Sequence, residues 1–352
     1  MNDLVLRAGP AALARIREHG IAPSDIKAIA GAAGGPKWLI LGHLDRFLFG
    51  DWLADADQRI DLVGASIGAW RFAAACRLND PVSAITALEN AYVEQSYSDK
   101  PDRTEVTRVT RAIQEQYFDD AVLGGVLKHP KWRLTAITAR SRTITASEQR
   151  YALGAGSGVA ALANGVRRAW IGKFFERVLF HSPNSAPPPF AKDGIATRHV
   201  PLNAANAREA VYASGSIPMI MSGVVNPDGA PAGMYRDGGI VDYHIDQPLT
   251  NDGIVLMPHF GERVIPGWFD KFLPWRHARH TDNLLLLSPS PAFLASIPNG
   301  KVPDRKDFYL YAGDNDARIR DWRQSVDAGE RLADAFKAWV ESDNPAASLQ
   351  PL

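Results

Sequence analysis

The sequence is short of the features that define several large protein classes. It holds one cysteine, Cys76, in 352 residues, so no disulfide can close within the chain and nothing calls for an oxidising compartment. Nowhere do about 18 apolar residues follow one another, so no bilayer-spanning helix is expected. The opening Met1-Asn2-Asp3-Leu4-Val5-Leu6-Arg7 has neither a basic start nor a sustained apolar stretch, and no signal peptide is read there. Charge of one sign is also missing. Lys plus Arg number 39 and Asp plus Glu number 39, so no global field draws the chain to nucleic acid. No internal repeat of about 20–50 residues is seen, which excludes a solenoid. The expectation is a cytoplasmic protein, with peripheral contact at a membrane left open.

What is present is an ordinary globular composition. Hydrophobic residues make up 46% and charged residues 22%, enough apolar surface to offset the ordering entropy that keeps poorer chains disordered. The pattern begins with a short amphipathic helix at 10–19. Ile26–Ala30 reads as a buried strand that runs into Gly31-Ala32-Ala33-Gly34-Gly35-Pro36. Lys37–Phe49 then carries Leu39, Ile40, Leu44, Phe47 and Leu48 at helical spacing. A second apolar strand, Ile60–Val63, enters Gly64-Ala65-Ser66-Ile67-Gly68 and the alanine-rich helix Ala69–Arg77. Strand, turn and helix repeated within 80 residues predict an α/β fold with a mostly parallel sheet. Downstream, Trp132–Ala139, Ile254–Met257 and Leu284–Leu287 read as strands. Residues 157–181 and Ala317–Glu341 read as helices, and the proline-rich His181–Pro189 as a loop or hinge. No composition break divides the chain. It is read as one domain, 1–352, with a mainly helical insertion at about 81–205.

Three short motifs carry candidate chemistry. Gly64-Ala65-Ser66-Ile67-Gly68 fits G-x-S-x-G, where a serine on a tight strand-to-helix turn needs flanking glycines because side chains there would collide. The helix that follows aims its N-terminus, and the Ile67 N–H, at the place where negative charge would develop. The earlier loop offers the backbone N–H groups of Gly34, Gly35 and Lys37 as further oxyanion donors, Pro36 having none. It is not a Walker loop, since Trp38 follows Lys37 where serine or threonine is needed. Tyr235-Arg236-Asp237-Gly238-Gly239 projects a carboxylate from a turn, although Asp-Gly is also a favoured pair in a plain β-turn.

In this order and spacing the motifs resemble those of the patatin-like phospholipases, the lipid acyl hydrolases. A fourth block, Ala213-Ser214-Gly215-Ser216-Ile217-Pro218, is similar to the family's segment before its catalytic aspartate. The first loop departs from the family pattern, with Ala33 and Trp38 standing where glycines are usual. The resemblance implies a three-layer α/β/α fold and a Ser66–Asp237 dyad without histidine. It further implies oxyanion donors at Gly34, Gly35, Lys37 and Ile67, an elbow flanked by Gly64 and Gly68, a lipid or small-ester substrate, and no cofactor or metal.

Two rivals stay open at this point. A Ser–Asp–His triad finds His244, His259, His277 and His280 after Asp237, but only 30 residues between Gly35 and Ser66 leave less structure than that fold has there. A catalytically silent relative would use the same pocket to bind lipid or a partner. His277 and Asp282 match a short acyltransferase pattern, and His277 with His280 could be read as metal ligands, yet no third ligand is indicated and no metal site is expected. Two stretches mix aromatics with bases as interfacial segments do. One is Asn164–His181, read as a helix with Trp170, Ile171, Phe174, Phe175 and Val178 on one face. The other is Trp268, Phe269, Phe272 and Trp275. Cys76 is expected to pack inside.

Overall fold

The computed structural model describes residues 3–183 and 185–352; Met1 and Asn2 of the opening segment and Asn184 of the proline-rich loop lie outside them. Among the described residues, eleven strands form one sheet: β1 (Leu4–Ala8), β2 (Ile26–Gly31), β3 (Ile60–Ala65), β4 (Trp132–Ser141), β5 (Phe175–His181), β6 (Thr197–Pro201), β7 (Val224–Val225), β8 (Met234–Asp237), β9 (Ile254–Pro258), β10 (Leu284–Pro289) and β11 (Gln350–Pro351). Their order is β11-β1-β10-β9-β2-β3-β4-β5-β6, with β8 paired to β4 and β7 paired to β8. The central run from β10 to β4 is parallel, while β1–β10, β4–β5, β4–β8 and β7–β8 are antiparallel.

The central strands are mostly apolar because both faces are covered. Alternate residues therefore enter two separate cores. Ile29, Leu62, Leu134 and Leu256 join the larger one, against helices that include Ile67–Ala75, Pro81–Glu94, Asn315–Ala328 and Glu330–Val340. Ala30, Val63, Ile137 and Met257 face the smaller one, which packs on helix Arg150–Val166 and on short 3₁₀ turns. The architecture is thus an α/β sandwich with an uneven pair of outer layers.

Two expectations need correction. Residues 81–205 are rich in helix as expected, but they are not an insertion, because β4, β5 and β6 lie within them and extend the central sheet. Asn164–His181 is not one helix either. The helix before it ends at Val166, a 3₁₀ segment covers Arg168–Lys173, and Phe175–His181 is strand β5, buried throughout. Glu176 and Arg177, inside that strand, are buried and ion-paired. Glu176 takes Arg140, Arg142 and Arg198, and Arg177 takes Asp242 and Asp193. The segment after the first glycine loop also differs in detail: it opens as a 3₁₀ turn, Gly35–Leu41, before the α-helical Gly42–Phe47.

Candidate active site

The site is made where two strands meet on one edge of β4. Strand β3 runs parallel to β4 and ends at Ala65, opposite Ile137. Strand β8 runs antiparallel to it and ends at Asp237, opposite Thr138. The C-terminal ends of β3 and β8 therefore abut, one residue apart in the β4 register. Ser66 follows the first strand and Asp237 closes the second.

Ser66 takes φ 56° and ψ −128°, a left-handed backbone rare for a residue with a side chain and typical of a strained nucleophile turn. The flanking glycines have a steric cause. A Cβ on Gly68 would lie 2.1 Å from the Gly31 carbonyl oxygen, and one on Gly64 would lie 2.5 Å from the Ala69 nitrogen. Only bare backbone lets the Ile67–Ala75 helix settle onto β2. The Ser66 hydroxyl donates to Asp237 Oδ2 at 2.7 Å. The other carboxylate oxygen, Oδ1, accepts the Gly239 N–H at 2.7 Å, which fixes the rotamer of the acid.

The fourth sequence block supplies the brace. Ser214 Oγ accepts the Ser66 N–H at 2.9 Å and donates to the Ile137 carbonyl at 2.6 Å, and the Asp237 N–H donates to the Ser216 carbonyl at 2.9 Å. One short segment thus holds both elbow and acid against β4. Nothing in the sequence marked Ser214 as a strut; its only signal was membership of that block. Ser214→Ala leaves a buried N–H and a buried C=O without partners, so stability to urea should fall by about 1–3 kcal/mol. An unchanged denaturation midpoint would show the brace to be dispensable.

Gly35 and Ile67 each open a helical segment, where the first amide has no intrahelical acceptor. Both line the same cavity as Ser66. Gly34 is extended at φ −179° and lies against the Phe260 ring. Lys37 is placed differently from the expectation. In a 3₁₀ turn that starts at Gly35, the first i→i+3 bond runs from the Gly34 carbonyl to the Lys37 N–H, so this amide is engaged within the turn. The Lys37 ammonium sits 4.9 Å from the Phe260 ring centroid. Ala33 is tied to the acid's own loop, its N–H donating to the Tyr243 carbonyl at 2.8 Å. Trp38 is fully buried in the larger core, edge-on to Tyr92, and does not line the cavity.

Burial pushes the Asp237 carboxyl above the usual aspartate range, against the opposing pull of the Ser66 and Gly239 hydrogen bonds and of Arg305 and Lys271. Lys271 is pushed down to about 7, first by burial and then by the nearby Lys37 and Arg305 cations; its ammonium lies 3.9 Å from the Tyr243 ring centroid. Arg305 lines the cavity. Arg305 was not singled out from the sequence.

The histidines lie elsewhere. His244 and His259 pair with each other, Nδ1 to Nε2 at 3.1 Å, in a stack with Tyr243 and Phe260. Burial lowers His259 to about 4 and His244 well below its ordinary value. His277 and His280 are exposed on a loop. Among the described residues, no imidazole hydrogen-bonds to Ser66 or Asp237. No cluster of three metal-ligating side chains is found among them either.

The cavity in front of Ser66 measures about 630 Å³, within the range of small-molecule sites. Its wall is largely apolar, with Trp70, Tyr92, Val106, Ile217, Met221 and Phe308. The cavity wall at Arg318, which bonds to the Val93 and Gln95 carbonyls and lies 4.3 Å from the Trp322 ring centroid, is contributed by the C-terminal helices.

Comparison with protein-family profiles gives no match, and no curated protein matches either. Among solved structures, the chain is similar to human GIVD cytosolic phospholipase A2, with a TM-score of 0.39 and 9% identity over 96% of this chain. The likeness spans 62% of that protein's chain.

Proposed function

We propose that this chain is a serine hydrolase that cleaves carboxylic esters of lipids, with Ser66 as nucleophile and Asp237 as its side-chain base. The observation that supports this most is the 2.7 Å hydrogen bond from a serine on a left-handed strand-to-helix turn to a buried carboxylate, at the floor of a largely apolar cavity. In this reading Asp237 Oδ2 takes the hydroxyl proton as Ser66 Oγ bonds to the ester carbonyl carbon. The oxyanion so formed is met by the Gly35 and Ile67 amides, each donor worth roughly 3–4 kcal/mol. Collapse breaks the bond to the alcohol, which leaves with the proton from Asp237. Water then gives a proton to Asp237 as it attacks the acyl-enzyme, and collapse breaks the acyl–Oγ bond, Asp237 returning the proton to Ser66 Oγ as the acid leaves.

The raised basicity of Asp237 suits this role, since an ordinary aspartate near 3.9 is a weak base at neutral pH. The apolar wall suits an acyl chain better than a polar ester group. Peripheral membrane contact through the Trp268–Trp275 segment is part of the same reading for Trp268, Phe272 and Trp275, which are exposed by 37%, 76% and 64%. Phe269 is withdrawn from it, because this ring is buried against Phe175.

The test is covalent labelling. A fluorophosphonate should modify the folded protein at one residue, Ser66, and the Ser66→Ala protein should take no label. A folded wild-type protein that stays unlabelled, or is labelled elsewhere, would leave the pocket as a binding site without chemistry.

A further inference from the structure

The proposed reaction does not use helix Arg150–Val166, yet its surface is unusual. Between Arg150 and Arg167 the chain has no charged residue. At 1.5 Å per residue the 17-residue helix runs about 25 Å. Its inner face buries Leu153, Gly156, Ala160 and Asn164, and Ala160 packs in the smaller core. Its outer face presents Tyr151, Val159, Leu162 and Val166, exposed by 92%, 53%, 76% and 72%, and apart from Arg150 at its start the other exposed positions are alanine and glycine. These residues fall on one stripe at helical spacing. Besides the Tyr151 hydroxyl, the polar side chains in the span are Ser157, half-buried, and Asn164, buried and bonded to Asp270. A solvated helix normally carries charge on its outer face, and an apolar stripe of this extent marks an interaction surface.

Two features say what it meets. First, the helix that carries the stripe is tied on both sides to segments that line the Ser66 cavity. Gly154 adjoins Met219, 3.8 Å from the position of a Cβ to its sulfur, and Met219 and Ile220 are exposed by 46% and 40%; Ile220 lines the cavity. At the other end, Asn164 bonds to Asp270 at 2.7 Å and Arg276 to the Asn164 carbonyl at 2.8 Å. Those contacts fix the loop that bears Trp268, Phe272 and Trp275, and Trp268 also lines the cavity. Second, the ends of the stripe are basic. Arg150, Arg167 and Lys173 are exposed, and the Lys173 ammonium lies 5.6 Å from the exposed Trp170 ring. Apolar residues in the middle with aromatics and cations at the rim match a lipid–water interface, where rings and alkyl groups enter the acyl boundary and cations reach headgroups.

We infer that this helix and the 268–276 loop form one face that lies on an anionic lipid surface and turns the cavity mouth toward it. The inference rests on the proposed lipid substrate for its purpose but not for its geometry. To test it, the Ser66→Ala protein, which cannot turn lipid over, is sedimented with vesicles of equimolar phosphatidylcholine and phosphatidylglycerol. Val159→Gln, Leu162→Gln and Val166→Gln together should weaken partitioning by roughly two orders of magnitude. The same three changes in the Ser66 protein should leave hydrolysis of a water-soluble short-chain ester unchanged, since none touches the dyad. A second variant, Phe272→Gln with Trp275→Gln, should weaken partitioning independently.

Vesicle binding that survives both variants would overturn the inference. So would a wild-type protein that dimerises through this face in solution and ignores vesicles. Vesicle binding lost in the variants, with no ester turned over by the wild type, would uphold the docking face while removing the hydrolase reading.

Discussion

Asp237→Asn should lower kcat on an ester by about 10²–10⁴-fold, the usual contribution of a positioned proton acceptor, while the protein stays folded. Asparagine keeps the size of the side chain and can still accept the Gly239 N–H, but it cannot take the hydroxyl proton from Ser66. The same residue sets the pH dependence. The base works only when ionised, so activity should disappear as pH falls through its pKa. Burial raises that pKa, so the acid limb should lie above the range of an ordinary aspartate. For folding the sign is opposite to that of a salt-bridged carboxylate. A pKa raised in the folded state favours folding below the unfolded value, and that gain is lost as pH rises through the folded value. At neutral pH the native protein therefore holds a buried charge at a cost, and Asp237→Asn should not lower the melting temperature. A profile of kcat/KM against pH, with a melting curve for each protein, checks both statements. If the variant keeps most of its kcat, or keeps the acid limb, another group is the base.

Asp45→Ala should produce the largest loss of stability, about 3–5 kcal/mol, because it strands a buried guanidinium. Arg71 lies on the helix that starts at Ile67, and it meets Asp45 through two bonds, Nη2 to Oδ1 at 2.6 Å and Nε to Oδ2 at 2.7 Å. Both side chains are 2% exposed. Such a loss is a large share of the roughly 5–15 kcal/mol that holds a typical domain together. Replacing both partners, Asp45→Leu with Arg71→Met, removes the stranded charge and should recover most of it. Urea unfolding of the two variants decides the point. Equal losses in the single and double variants would show that packing volume, and not the unpaired charge, is what matters there.

Much of this protein could be read from residue order. The strands at Ile26, Ile60, Ile254 and Leu284 are apolar runs and the one at Trp132 alternates in character, and the structure places each within a residue or two. The left-handed turn at Ser66 was implied by its flanking glycines, since a constraint between near neighbours is written into the local sequence. Strand β5 was missed because Glu176 and Arg177 signal solvent when read locally, and only the arrival of Arg140, Arg198, Asp193 and Asp242 makes them interior residues. The same holds for the Lys37 amide, whose availability depended on the kind of helical turn that follows it.

Order along the chain determined the separate pieces: a serine on a tight turn, glycines before a helix, and an acid before two glycines. It could not bring residues 171 positions apart to hydrogen-bonding distance. That was decided by β8 taking the free part of the β4 edge beyond the end of β3, and by Ser214 bridging the two. Strand pairing at this range depends on which edges the rest of the sheet leaves open, and a local pattern of side chains carries no record of that.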